Sequence, residues 1–511
     1  MTWRGLGFRV LLGLALAAFY LWSVPLHSDA QLLGNDAFAY AAALASGELA
    51  RLLNPHHLLH HLMAFGVLNG QVLISGGSEA TLADGLGALR IVSALGGAAC
   101  AVLVGHFARR LAGRAAGWWL GAAFAFSAGP WLYSAVGETY LPAAAIGAWL
   151  FGELLIARRE QRAPSTGRIV ALLTLACMLR QDSVLLVPGV LLLAGPRQGP
   201  LAVGIAGGVS LGLYAIAYGL ASTSAGLGEW LRGLAETGLW GEGFTPERAW
   251  VTVVTQQHAL HYGVRFGGGW AVLSLTGTAL LVGAAFAAGG NWRQPGIRIG
   301  LAALALTISI RLLFFTWWQP SNMEYHTPTL VPGFLMLALI AGRSNSPARS
   351  AMQSTAGRIG PVTSAGLGAA AALSLLLGNG ACLFEPLRTT TGSNQARAAL
   401  DQAGQDGLVL VLDPFSGFAV DLAAEPGRRV ANAARTGAEL DRDALFGAMS
   451  STLASGAPVA MLRDVSLMPR LALPLYPIDE ELLAKLAGLQ LETERFESNG
   501  EPWMMVLRSQ P

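Results

Sequence analysis

Residues 86–114 read LGALRIVSALGGAACAVLVGHFARRLAGR. Between Leu86 and Phe107 the one formal charge is Arg90. At about 1.5 Å per helical residue, such a run crosses a hydrocarbon core roughly 30 Å thick. Arg109, Arg110 and Arg114 follow at once, and arginines gather at the cytoplasmic ends of spans. The stretch is a transmembrane helix with its end on the inner side.

The rest of the chain threads outward from that anchor. Upstream, an apolar run from Leu6 to Val24 starts beside Arg4 and Arg9, which places the N-terminus inside. A cleaved signal peptide is the other reading of that run, although it exceeds the usual apolar length of about 7 to 15 residues. Residues 27–85 form a first outer loop, in which Asp36–Leu53 and the stretch from Pro55 to Leu73 have the periodicity of helices lying at the membrane surface. Downstream, runs at Ala115–Val136 and Tyr140–Ala157 go out and return to Arg158, Arg159, Arg162 and Arg168. Two short runs, Ile169–Leu179 and Val184–Leu193, either cross or form a re-entrant hairpin. Leu201–Ala221, a second outer loop at 222–267, Trp270–Ala288, Ile299–Trp318, His326–Ala341 and Val362–Phe384 complete a membrane domain over residues 1–384. The expectation is an α-helical polytopic protein with about eleven spans, N-terminus in and C-terminus out. From residue 385 to 511 the composition is that of a small extracytoplasmic α/β domain. Strands are predicted at Leu408–Leu412, Val459–Leu462 and Trp503–Leu507, and helices at Asn394–Ala403, Glu439–Ala454 and Asp479–Ala487.

Composition agrees. Of 511 residues, 53% are hydrophobic and 13% charged, against about 25% charged in a soluble protein, and the mean hydropathy is +0.49. A soluble enzyme is thereby disfavoured. A net charge of +2 gives no reason to expect a nucleic-acid partner. Cys100, Cys177 and Cys382 lie in apolar tracts and suggest neither disulfides nor a CxxC site. Gly204, Gly208 and Gly212, four residues apart, suggest close helix packing.

Polar chemistry collects on the outer side, with eight of the nine histidines. Asp36, before an interfacial helix, reads either as a general base on an acceptor hydroxyl or as a helix N-cap. His56, His57, His60 and His61 invite a metal reading, but no acidic ligand lies at a diagnostic spacing. No resident cofactor is expected, with a divalent cation as the alternative. His56 and His57 suit a phosphate or an acceptor, whereas His60 and His61 read best as imidazoles facing headgroups. Glu138 and Tyr140 stand at an outer turn, fit for sugar hydroxyls or for capping. Arg180 and Asp182 either pair with each other or serve a site. Arg311 interrupts an apolar span, where a charge costs about 2.5–3.5 kcal/mol on insertion scales. It reads as a ligand of a lipid phosphate or as a snorkelling side chain. Glu324 and His326 follow on the outer rim.

The order of these pieces resembles the GT-C superfamily of integral membrane glycosyltransferases, the class of the protein mannosyltransferases and aminoarabinose transferases. It rests on residues 33–40 (LGNDAFAY), the Pro55-His56-His57 stretch, Leu89–Leu95, the turn Arg109–Arg114, Ser134–Tyr140 and Trp317–His326. The resemblance implies a multi-pass protein of the plasma membrane whose active site faces the periplasm or exterior. It implies a polyprenyl-phosphate-linked sugar as donor, a lipid, glycan or protein as acceptor, and inversion at the sugar. It makes Asp36 the catalytic acidic residue, with Asp29 competing, and sets Asn35 beside it where related enzymes often carry a second carboxylate. Asn35, His56, His57, Glu138, Tyr140, Arg180, Asp182, Arg311, Glu324 and His326 form the expected substrate-binding set. A transporter or lipid flippase, and a noncatalytic scaffold, are the competing classes. Internal repeats, which many transporters show, are not evident.

Overall fold

The computed structural model describes residues 3–26, 28, 35–53, 57–76, 80–221, 243–262, 268–288, 294–342, 356–388, 391–411, 420, 424, 428–432, 442–462, 491–498 and 501–509. The chain divides into two compact units, one of residues 1–24 and 39–385, the other of residues 25–38 and 386–511.

In the first unit the apolar runs are helices. They begin with α1 (Trp3–Ser23), α2 (Asn35–Ser46, its first turn counted with the second unit), α3 (Leu49–Leu52), α4 (Leu58–Ser75) and α5 (Leu82–Ala112). After them come α6 (Arg114–Ala125), α7 (Ala128–Ala135), α8 (Tyr140–Arg159), α9 (Thr166–Leu179), α10 (Val187–Ala194) and α11 (Gln198–Ala221). The remainder are α12 (Pro246–Leu260), α13 (Gly268–Ala287), α14 (Pro295–Trp318), α15 (Met323–His326), α16 (Leu330–Ala341) and α17 (Ala356–Arg388). By length and composition, seven helices among the described residues can cross a membrane: α4, α5, α8, α11, α13, α14 and α17. The protein is a multi-pass membrane protein. α4, expected at the surface, is thus itself long and apolar enough to span.

The stretch quoted first is the axis of this unit, because α5 packs against α1, α4, α6, α7, α8 and α16. Its start is set by a capping box: Thr81 Oγ1 accepts from the Asp84 backbone N–H at 3.2 Å, and Asp84 Oδ2 accepts from that of Thr81 at 2.9 Å. It stops at Gly113, whose φ of 103° suits glycine. Arg90, buried within it, is a clamp. Its Nε donates to the Ala135 carbonyl at 3.0 Å and its Nη2 to the carbonyls of Leu21 and Val24, tying the ends of α7 and α1 to α5.

Two expectations need correcting. The run Ala115–Val136 is broken into α6 and α7, since the chain turns at Phe126 and Ser127 and Pro130, in the first turn of α7, has no N–H to give. Close glycine packing is real, but at other positions. A Cβ on Gly204, Gly208 or Gly212 would meet nothing within 4 Å, and α11 instead buries Ala202, Ala206, Tyr214, Ala217 and Ala221. A Cβ on Gly96 would sit 2.6 Å from Pro142, and Gly105 faces Gly117 and Gly121, which lets α5 lie close to α8 and α6.

In the second unit a sheet has strand order β2-β1-β3-β5-β4, with β1 (Leu408–Val411), β2 (Arg429–Asn432), β3 (Val459–Leu462), β4 (Leu491–Ser498) and β5 (Glu501–Ser509). β1 is parallel to both β2 and β3, while β5 is antiparallel to β3 and β4. Every residue of β1 and β3 is buried, as the apolar runs LVLV and VAML require of central parallel strands. Met449 and Leu453, from the helix α19 (Arg442–Ala454), pack with Leu408, Leu410, Val459 and Met461 into one core; α18 (Thr391–Ala403) precedes the sheet. The predicted helix at Asp479–Ala487 lies outside the described residues.

Gly96→Val is expected to lower thermal stability by about 1–3 kcal/mol, the usual cost of overpacking. Gly208→Val should change it by less than about 1 kcal/mol. Thermal unfolding of the two purified variants checks the contrast.

Candidate active site

The helical unit contains a polar centre assembled from three separate parts of the chain. α9 ends at Leu179, and Arg180 turns into extended backbone (φ −161°, ψ 123°) before a short 3-10 helix, Gln181–Leu186, leads into α10. This is why two short apolar runs flank Arg180 and Asp182. The second part is the turn at Glu138 and Thr139 and the start of α8 at Tyr140. The third is α14, which carries Arg311, followed by α15 and a 3-10 turn, Thr327–Thr329. Asn322 caps α15, accepting from the Glu324 N–H at 3.3 Å and donating to Glu324 Oε1 at 2.7 Å. Arg248 of α12 donates to the carbonyls of Thr316, Trp317 and Trp318, each at 2.9 Å, and so closes the end of α14.

At the centre one carboxylate lies between two guanidinium groups. Arg180 Nε is 2.9 Å from Asp182 Oδ1, and Arg311 Nη2 donates to Asp182 Oδ2 at 3.0 Å. Arg311 also donates from Nε to Thr329 Oγ1 at 3.2 Å and from Nη2 to the Tyr325 carbonyl at 3.3 Å. Arg180 Nη1 donates to Thr139 Oγ1 at 2.8 Å. Its guanidinium lies 3.5 Å from the centre of the Tyr140 ring and 5.5 Å from that of Tyr325. Tyr325 in turn stacks on Phe315 at 5.0 Å and on Trp318 at 5.2 Å. Arg180 is 6% exposed and Arg311 3%. Arg311 does not snorkel, because its counter-charge is within the protein.

Removing such ions from water costs several kcal/mol each, which Asp182 and the hydrogen bonds offset only if the geometry is good. Arg180, Asp182 and Arg311 together carry one positive charge, with the buried carboxyls of Glu138 and Glu324 close by. Each guanidinium has five N–H donors, more than the partners named here, so an incoming anion finds donors in a low-dielectric setting. Glu138 and Glu324, 2% and 7% exposed, lie within electrostatic reach of Tyr133 and Tyr140. Tyr140, Arg180, Asp182 and Arg311 line a narrow cleft together with Pro328 and Val331, and its enclosed part has room for about one water. A larger occupant therefore has to part these side chains.

Most of the predicted binding residues thus meet: Glu138, Tyr140, Arg180, Asp182, Arg311 and Glu324. His326 is fully buried on the same segment, its Nε2 3.2 Å from the Pro320 carbonyl. His57 is buried, and the ring of Tyr40 lies 5.3 Å from it and 4.6 Å from His61. His60 and His61, expected to face headgroups, are 0% and 1% exposed. The helix α4 turns that face inward, and His60 lies within electrostatic reach of Arg180. Asp36 is exposed in the first turn of α2, within the second unit. Asn35 opens that helix. His56 lies outside the described residues, as do Asp29 and most of the second outer loop. Among the described residues, no three His, Cys, Asp or Glu side chains are grouped as a metal ion would need. Sequence reasoning missed Tyr325, Thr139 and Thr329. Tyr325 had a signal, its place between Glu324 and His326.

No protein family model and no curated protein matches the sequence. Among solved structures, ArnT from Cupriavidus metallidurans in the apo state is similar with a TM-score of 0.56 and 14% identity. The same protein bound to undecaprenyl phosphate gives a TM-score of 0.52 and 12% identity. Each comparison covers 99% of this chain and 98% of the other. Over nearly its whole length the chain has the fold of ArnT, the fold that the GT-C resemblance implied.

Proposed function

We propose that this protein is a GT-C-type glycosyltransferase that moves a sugar from a polyprenyl-phosphate donor to an acceptor on the outer side of the plasma membrane. The observation that carries this reading is the pair of buried arginines held on one carboxylate inside an apolar helical unit. Cations at that depth suit a phosphate that arrives on a lipid. The fold supports it, since the ArnT of the same fold has been solved with undecaprenyl phosphate.

In this mechanism Asp36 accepts the proton of an acceptor hydroxyl as its oxygen attacks the anomeric carbon. The bond from that carbon to the phosphate oxygen breaks, and polyprenyl phosphate leaves with the electron pair. Attack opposite the leaving group inverts the anomeric centre. Arg180 and Arg311 stabilise the charge on the departing phosphate, while Tyr140, Glu138, Glu324 and the neighbouring histidines hold the sugar. The phosphate is already a good leaving group, so no enzyme nucleophile is needed.

Asp36→Asn is expected to abolish transfer while the protein inserts at its normal level. Mass spectrometry of surface glycans and lipids, from cells lacking the gene and complemented with either form, decides it; a restored wild-type profile removes Asp36 as the base.

Arg311→Lys keeps the charge but loses the fork that reaches Asp182, Thr329 and the Tyr325 carbonyl. Transfer should fall roughly 10- to 100-fold, as for one or two charge-assisted hydrogen bonds. Arg168→Gln, which loosens an exposed pair with Glu153, should leave transfer unchanged in the same assay.

A further inference from the structure

The helical unit has a second polar cavity, about 2570 Å³ with its open mouth, among the ends of α5, α8, α10, α11 and α14. Five arginines line it, Arg109, Arg110, Arg158, Arg159 and Arg162, against one carboxylate, Glu160. Two of the five are fixed to helix ends. Arg158 donates to the carbonyls of Leu192 and Leu193, and Arg159 to those of Arg110 and Leu111. Arg110 and Arg162 share Glu160 at 2.7 and 2.8 Å. Arg109 makes no ion pair among the described residues. The cavity also receives the first residues of α11 and α14, Gln198 and Pro295, and each of these 24-residue helices presents the positive end of its dipole there.

Topology accounts for arginines at helix ends but not for their convergence on one cavity with two helix N-termini. Leu111, Ile156, Ile297 and Ile299 line the same space. Cations beside aliphatic side chains match the junction between a charged headgroup and acyl chains. We propose that this cavity binds the phosphate headgroup of an anionic membrane phospholipid, with Arg109, Arg110 and Arg162 as the ligands. Basic pockets between transmembrane helices hold such headgroups. Glu160 is the internal competitor. Hydrogen bonds from Arg162 and Arg110 hold its carboxyl below the usual range, so it stays ionised at neutral pH and occupies two arginines until a phosphate replaces it. The site is independent of the transfer reaction and of Asp36.

The test uses the full chain, delipidated in a neutral detergent, with thermal unfolding and native mass spectrometry as readouts. Cardiolipin and phosphatidylglycerol are expected to bind and to raise the unfolding temperature, and phosphatidylcholine to do neither. Arg109→Gln should weaken cardiolipin binding roughly fivefold, whereas Glu160→Gln should strengthen it. An equal effect of phosphatidylcholine, or affinities unchanged in both variants, overturns the site. The full shift produced by inorganic phosphate alone overturns the lipid as its occupant. If Arg109→Gln does not fold, the sign of the Glu160→Gln effect decides.

Discussion

The carboxylate of Asp182, held between the guanidinium groups of Arg180 and Arg311, is the constraint on which the helical unit is built. Neither arginine is tolerable alone at that depth, and stripping one partner from a buried pair costs about 3–5 kcal/mol. The bridge therefore has to form, and forming it dictates local structure. α9 must stop so that Arg180 and Asp182 face the same way, and the 3-10 turn does this within three residues. α14 must lie beside that turn with Arg311 facing it. Two oddities of the sequence, a pair of apolar runs too short for ordinary spans and a charge within a long one, are the two halves of a single interaction.

How much of this was legible follows from what periodicity carries. Apolar runs mark helices, so the positions of α5, α8, α11 and α14 could be read to within a few residues. Arg180 and Asp182 are two residues apart, and their pairing was visible locally. The partner 129 residues away was not, because nothing in a single sequence couples two distant charges. The inward turn of His60 and His61 was hidden for a related reason. α4 is apolar on most of its faces, so its polar residues do not reveal which side meets protein and which meets lipid. The same ambiguity misassigned the glycines of α11. A four-residue spacing shows that one stripe is small, not that another helix lies on it.

The sheet was lost and found along similar lines. β1 and β3 are buried on both faces and read as unbroken apolar runs. β4, residues LETERFES, pairs on one side only among the described residues and carries charges along its length. Charged edge strands resist pairing with other chains, and that protection erases the apolar signal by which a strand is recognised.

Within the helical unit, four arginines end on carbonyls. Arg90, Arg158, Arg159 and Arg248 each satisfy the open ends of helices, and so convert a charge in an apolar protein into a fastening. The polar centre departs from this economy. Its arginines are bound to a carboxylate, two threonine hydroxyls and a ring face, with a single carbonyl, that of Tyr325, among their partners. Beside them His60 is wholly buried, with neither ring nitrogen hydrogen-bonded among the described residues. An unsatisfied buried polar group costs about 1–3 kcal/mol. That cost falls within electrostatic reach of Arg180, at the place where a polar ligand would relieve it.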